Sequence, residues 1–222
     1  VEEGPGQSSD IATLAATLAA HCDGLSSSEM LHKLMLEVFP GRIAVVSSFG
    51  AESAVLLDLV ARIDRAVPVL FLDTGKHFPE TIAYRDTLID RLGLTNVQTI
   101  APLGSDVEAA DPLGILWQKN TDACCDIRKV RPLDAALAGY DAWISGRKRF
   151  HGGGRGSLPL VEAEDSKIKV NPMADWDGER IEEYYMNFGL PRHPLFHDGY
   201  PSIGCAVCTS KPEPGANVRS GR

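Results

Sequence analysis

The chain has 222 residues, 44% of them hydrophobic, 23% charged and 7% aromatic, with a formal net charge of −8, a composition that fits one sizeable globular domain or two small ones. No apolar run approaches the roughly 18 residues of a membrane span, and residues 1–10 are acidic and polar where a secretory signal is basic and then apolar. Membrane protein, collagen and disordered tail are excluded, and the acidic balance argues against general nucleic-acid binding.

The chain begins without Met, which reads as a processed or trimmed start. Ile11, Leu14, Ala15 and Leu18 at helical spacing predict a helix over 10–21 with Asp10 as its N-cap. A second helix is expected over 26–39, opened by Ser26 to Ser28. An alternation follows: a strand at 43–46, a helix over 52–63, a strand at Val69–Leu72, a helix over 78–92, a strand at Val97–Ile100, a helix over 126–138 and a strand at 143–145. Strands flanked by helices predict an α/β, doubly wound, mostly parallel sheet covered on both faces. After about residue 150 come Gly152 to Gly154, short segments at 158–162 and 167–170, a helix near 178–188, and a tail with five of the fourteen prolines between 191 and 214. We read one domain: N-terminal helices over 1–40, an α/β core over 41–150 and an irregular C-terminal region over 151–222.

Five features carry chemistry. Ser47 to Ser53, SSFGAES, lies between an apolar strand and an apolar helix, where hydroxyls and free N–H groups meet an anion at a strand end; it lacks the Walker A pattern. Leu72 to Gly75, LDTG, ends the next strand and places Asp73 and Thr74 over the same sheet edge. Cys124 and Cys125 are followed, after 79 residues, by Cys205-Ala-Val-Cys208. With no sign of secretion, structural disulfides are disfavoured, and the four thiols suit an iron–sulfur cluster, zinc or thiol redox chemistry. Cys22 stands apart as a core or surface thiol. Gly146 to Arg155, GRKRFHGGGR, follows a strand with arginines suited to phosphate or sulfate, and a short basic segment, VRSGR, closes the chain. Seven basic residues (Arg128, Lys129, Arg131, Arg147, Lys148, Arg149, Arg155) against three acids within 126–155 predict a local positive patch for a small anion. His193 and His197 are four apart, but Pro194 between them argues against a metal pair.

Together these motifs resemble the assimilatory adenylyl-sulfate (APS) and phosphoadenylyl-sulfate (PAPS) reductases, from about Ile43 onward. SSFGAES is similar to that family's modified PP-loop, LDTGKHFPET to its second signature, GRKRFHGGGR to its arginine loop, and VRSGR to the segment before its C-terminal tail. The Cys-Cys … Cys-x-x-Cys arrangement resembles the branch that carries a [4Fe-4S] cluster. The resemblance implies an adenine-nucleotide alpha hydrolase-like fold of PP-loop type and reduction of APS to sulfite and AMP by thioredoxin or a similar thiol reductant, through an enzyme S-sulfocysteine. It implies cluster ligands Cys124, Cys125, Cys205 and Cys208, with Lys129 between cluster and substrate and Thr74 near a cluster sulfur. It assigns the nucleotide pocket to Ser47, Ser48, Phe49, Gly50 and Ser53, backbone contacts with adenosine to Leu72 and Gly146, and the phosphosulfate to Arg155, Arg219 and Arg222. It further implies a cytoplasmic enzyme of sulfate assimilation toward cysteine, with no nucleic-acid or membrane partner and room for a homo-oligomer.

Two departures qualify that likeness. The family's nucleophilic cysteine lies about ten residues beyond the RSGR-like segment, and none of the five cysteines matches it; the expectation is a missing catalytic tail and a chain that binds APS without turning it over. Ser53 stands where cluster-containing members often carry Asp, which leaves rejection of PAPS open. The alternatives are a PAPS reductase, an ATP-dependent PP-loop enzyme of the tRNA-thiolating type, and a zinc-stabilised binding module.

Overall fold

A computed structural model describes residues 5–152 and 155–221. Its sheet has six strands: β1 (Ile43–Ser47), β2 (Val69–Leu72), β3 (Val97–Ile100), β4 (Ala142–Ser145), β5 (Val161–Glu164) and β6 (Lys167–Val170), in the order β3-β2-β1-β4-β6-β5. All neighbouring pairs are parallel except β5 and β6, which form an antiparallel edge. The helices are α1 (Pro5–Cys22), α2 (Ser27–His32), α3 (Ser53–Ala61), α4 (Pro79–Leu92), α5 (Gly104–Ala110), α6 (Leu116–Lys119), α7 (Thr121–Cys125), α8 (Arg131–Leu137), α9 (Gly178–Phe188) and α10 (Pro194–His197).

Adjacent residues of a strand point to opposite faces, and here both faces are covered. Ile43 and Val45 pack into the larger core with α1, α2, α3, α4 and α9. Ala44 of β1, with Leu70 and Trp143, faces a smaller core closed by Leu133 and Leu137 of α8. Cys22 is fully buried in the larger core. Among the described residues, no helix is long and apolar enough to cross a membrane.

Several predicted boundaries move. The first helix already runs from Pro5, and Asp10 lies inside it; a helix interior tolerates Asp at a cost of a few tenths of a kcal/mol, so a residue competent to cap did not start the helix. The second helix keeps its predicted start: Ser26 and Glu29 form a reciprocal capping box. It then widens into a π-helical stretch, Lys33–Val38. The helix expected over 126–138 is the end of a longer helical run that begins at Thr121, where the Asn120 side chain accepts from the Ala123 N–H. Helices α5, α6 and α10 were not anticipated; each is short, with few buried side chains to give an apolar period.

The sheet order reverses at β1. Chain after β1 crosses to β2 on one side, and β4 returns on the other. In open α/β sheets the crevice beyond the carboxyl ends at such a switch point receives the ligand.

Candidate functional site

The loop after β1 turns sharply. Ser47 Oγ accepts from the Phe49 N–H at 3.2 Å, and Phe49 takes a left-handed φ of +48°, a strained conformation for a bulky residue. Its ring is fully buried and meets Phe71 of β2 edge-on, 5.4 Å between centroids, so packing holds the strained backbone in place. A Cβ on Gly50 would come within 3.0 Å of the Ile203 carbonyl; glycine lets the C-terminal segment close over the loop. Tyr185 of α9 supports the same turn through a 2.8 Å hydrogen bond to the Ala51 carbonyl.

Beyond β1 and β4 lies a cavity of about 320 Å³. Ser47, Ser48, Gly50 and Ser53 wall one side, Gly146, Arg147, Lys148, His151 and Arg155 the other, and Ser202, Ile203 and Arg219 close the end. The predicted Ser/Gly loop and arginine loop therefore share one space. Phe49 supports that wall from beneath. Leu72 is not among the lining residues, and its carbonyl lies 2.9 Å from His77 Nε2. Arg222 lies outside the described residues.

Charge in this cavity is strongly positive. Burial, and then repulsion by Arg219 and Arg147, push the Arg155 guanidinium below its ordinary pKa. Arg147 lies 3.6 Å from Glu162, and Arg219 donates to Ser202 Oγ at 3.4 Å. Sequence reasoning missed the group that answers this charge. Glu52 Oε2 accepts from Lys148 Nζ at 2.6 Å and lies 3.1 Å from His151 Nε2. Burial alone would raise the Glu52 pKa, but His151 and Lys148 outweigh it and hold the value at about 2. An acid inside an anion-binding loop was the available signal.

A second cavity, about 550 Å³, opens beyond β2 and β3, walled by Asp73, Thr74, Glu108, Asp111 and Arg128. Both cysteine pairs adjoin this end of the sheet. Cys205 Sγ lies 3.3 Å from Thr74 Oγ1, and the strand-like bridge between His77 and Cys205 is reinforced by the Ala206 N–H donating to the Lys76 carbonyl at 2.7 Å. Cys124 and Cys125 end α7, and the chain then widens into a π-helical stretch over Asp126–Val130, a feature common at functional sites. From it Arg128 donates to the Thr74 carbonyl and to Asp111 Oδ2, each at 2.9 Å. Lys129 Nζ lies 3.6 Å from Cys125 Sγ. One arginine thus links the segment of one cysteine pair to the threonine that touches the other.

The basic residues of 126–155 do not form one patch. Arg128 and Arg131 are paired with Asp111 and Asp126, while Arg147, Lys148 and Arg155 line the first cavity. His193 and His197 make no metal pair: His193 is fully buried, bonded to Thr81 Oγ1 at 3.0 Å, and caps α10.

None of the five cysteines is joined in a disulfide. Burial pushes the Cys124 thiol up in pKa, partly offset by Arg128. Among the described residues no three His, Cys, Asp or Glu side chains converge on a point that would hold one ion. A four-iron cube takes one thiolate on each iron, so its ligands surround a volume. Four thiols in two pairs, with Lys129 on one sulfur and a hydroxyl on another, fit such an anionic group in number, type and charge.

Comparison with known proteins places this geometry. Residues 42–211 match the phosphoadenosine phosphosulfate reductase domain family. The chain is 48% identical over 212 residues to an adenosine 5′-phosphosulfate reductase of Mesorhizobium japonicum, covering 96% of this chain and 84% of that protein. It is 40% identical over 228 aligned positions to that of Mycobacterium tuberculosis, covering 94% and 89%. Among solved structures, phosphoadenylyl-sulfate reductase from Candida auris in a phosphate complex superposes with a TM-score of 0.75 at 28% identity, over 88% of this chain and 96% of that one. Yeast FAD synthetase superposes with a TM-score of 0.58 at 15% identity, over 93% and 76%, a likeness of fold alone.

Proposed function

The chain belongs to the phosphoadenosine phosphosulfate reductase family, and from that premise we propose that it is an adenylyl-sulfate reductase, releasing sulfite and AMP from adenosine 5′-phosphosulfate. The observation that carries this reading is the convergence of Arg147, Arg155 and Arg219 on a cavity at the switch point of the sheet, where their mutual repulsion calls for an anion. Ser47, Ser48, Gly50 and Ser53 would hold the nucleotide over the strained Phe49 turn. Gly146 would meet adenosine through its backbone, and Arg155, Arg219 and Arg222 would grip the phosphosulfate with charge-assisted hydrogen bonds.

In the proposed reaction a cysteine thiolate attacks the sulfur of the bound phosphosulfate, the S–O bond to AMP breaks, and an S-sulfocysteine forms. A thiol of thioredoxin or a similar reductant then attacks the cysteine sulfur, and sulfite leaves with the electron pair of the S–S bond. Cys22 is in the core and the other four thiols are assigned to the cluster, so none of these five is offered as the nucleophile. Cys124, Cys125, Cys205 and Cys208 would hold a [4Fe-4S] cluster, which supplies a fixed charge beside the substrate and a clamp between two chain segments. Lys129, on Cys125, would stand between that charge and the phosphosulfate. Cysteines without disulfides suit a reducing compartment, and we place the enzyme in the cytoplasm.

The test is calorimetric titration of anaerobically purified protein with AMP and APS, alongside assay of iron, acid-labile sulfide and zinc. Binding of both nucleotides with about four irons per chain supports the reading. Failure to bind either nucleotide overturns it, and zinc in place of iron overturns the cluster assignment.

A further inference from the structure

Among the described residues lining the first cavity, Glu52 is the only carboxylate, against Arg147, Lys148, Arg155 and Arg219. It stands at the N-cap position of α3, where an acidic side chain ordinarily accepts from the first turn of the helix, yet it makes no such bond. It turns instead to Lys148 and His151, taking both with one oxygen. Lys148 is 3% exposed, so its ammonium has little access to water, and it spends a second donor on the Gly146 carbonyl at 3.1 Å. With two of three donors used and its charge answered, Lys148 has little left for a ligand. His151 is committed to the same carboxylate through Nε2, and its Nδ1 is buried without a partner.

We infer that Glu52 determines specificity: by occupying Lys148 and His151 it matches the cavity to one phosphosulfate group and turns away nucleotides that carry a further phosphate. This rests on reading the cavity as the adenylyl-sulfate site. The arginines supply cations for a single anionic arm. A ribose 3′-phosphate would need another cation, and the buried lysine is already committed to Glu52. The neighbouring residue cannot play this part, because Ser53 is small and uncharged. Removing the charge of Glu52 leaves Lys148 without its partner in a nearly dry wall, so a further phosphate can take the carboxylate's place as the counter-ion of its ammonium, which favours the doubly phosphorylated ligand over the singly phosphorylated one.

The probes are AMP and adenosine 3′,5′-bisphosphate, titrated calorimetrically into the wild-type chain and into Glu52→Gln, Glu52→Asp and Lys148→Met. Wild type is expected to prefer AMP by about tenfold or more, Glu52→Gln to bring the two affinities within about twofold, and Glu52→Asp, which keeps the charge, to retain the preference. Lys148→Met, which removes the cation and leaves the carboxylate, widens the preference. Equal affinities in wild type, or a ratio unchanged in Glu52→Gln, overturn the inference. Should Glu52→Gln unfold or bind neither ligand, Lys148→Met decides: an unchanged or narrowed ratio overturns it. Wild type that binds neither nucleotide overturns the functional reading itself, whereas AMP binding with an unaltered ratio removes only the role of Glu52.

Discussion

The cavity beyond β1 and β4 and the cysteine region beyond β2 and β3 lie side by side along one edge of the sheet, but they are held in different ways. The first is walled by loops that leave paired parallel strands, with Phe49 locked under it and Tyr185 buttressing it from α9. The second depends on a few long-range ties: Arg128 to Thr74 and Asp111, Thr74 to Cys205, and His193 to Thr81. Most of the anion wall follows from the loops that leave the sheet, with the C-terminal segment closing its end. A thiol site made from two remote segments needs dedicated fasteners, and its stability is correspondingly concentrated in single residues.

The hardest break in that contrast is Asp111→Ala. Arg128 is left buried without its counter-ion, a change that costs about 3 kcal/mol or more. Urea denaturation should show a large fall in stability, while AMP affinity of the folded fraction changes little. A comparable loss in AMP affinity would mean that the two regions are not separable.

Acid tests the same fasteners. Burial lowers the pKa of His193 to about 4 from an ordinary 6.5, so the folded protein keeps it neutral while the unfolded chain takes up a proton first. Its contribution is complete above about pH 6.5 and is lost as pH falls toward 4, by up to about 1.4 kcal/mol per pH unit. Denaturation midpoints at pH 7 and pH 5 should differ in wild type, and the difference should shrink in His193→Gln. An undiminished difference would assign the acid sensitivity to other groups.

On the cavity side, Arg155→Ala removes a charged donor from the anion wall. It should weaken AMP binding by about 1.5–3 kcal/mol, on the order of 10- to 100-fold, and leave the thermal midpoint nearly unchanged because the arginine is relieved of repulsion by Arg219 and Arg147. The smallest change is Thr74→Val, which keeps the shape and deletes the hydroxyl beside Cys205. Urea denaturation should show a loss of about 1 kcal/mol, with AMP affinity within about twofold of wild type.

Much of this was legible in the sequence where the signal is local. The strands Val69–Leu72 and Val97–Ile100 and the helix Gly178–Phe188 fall where apolar runs, helical periodicity and flanking Gly residues put them. The two loops around the first cavity could be read from their Ser, Gly and Arg content, and the cysteine pairs from their spacing. What escaped was made by distance in the chain. Glu52 meets Lys148 across 96 positions and Arg128 reaches Thr74 across 54, and no local pattern encodes such partners. The single basic patch expected over 126–155 failed for the same reason, because Asp111 and Asp126 claim Arg128 and Arg131.

The contact between Thr74 and Cys205 spans 131 positions, and it sets an order of events during synthesis. Cys125 leaves the ribosome 80 residues ahead of Cys205, a delay of roughly 4–16 s at about 5–20 residues per second. For that interval the growing chain displays two adjacent thiols beside a sheet that can already pair β1, β2 and β3. Any group that needs both cysteine pairs can be installed only after Cys208 is made, so the waiting vicinal pair is the point at which a stray oxidant or metal could divert the nascent protein.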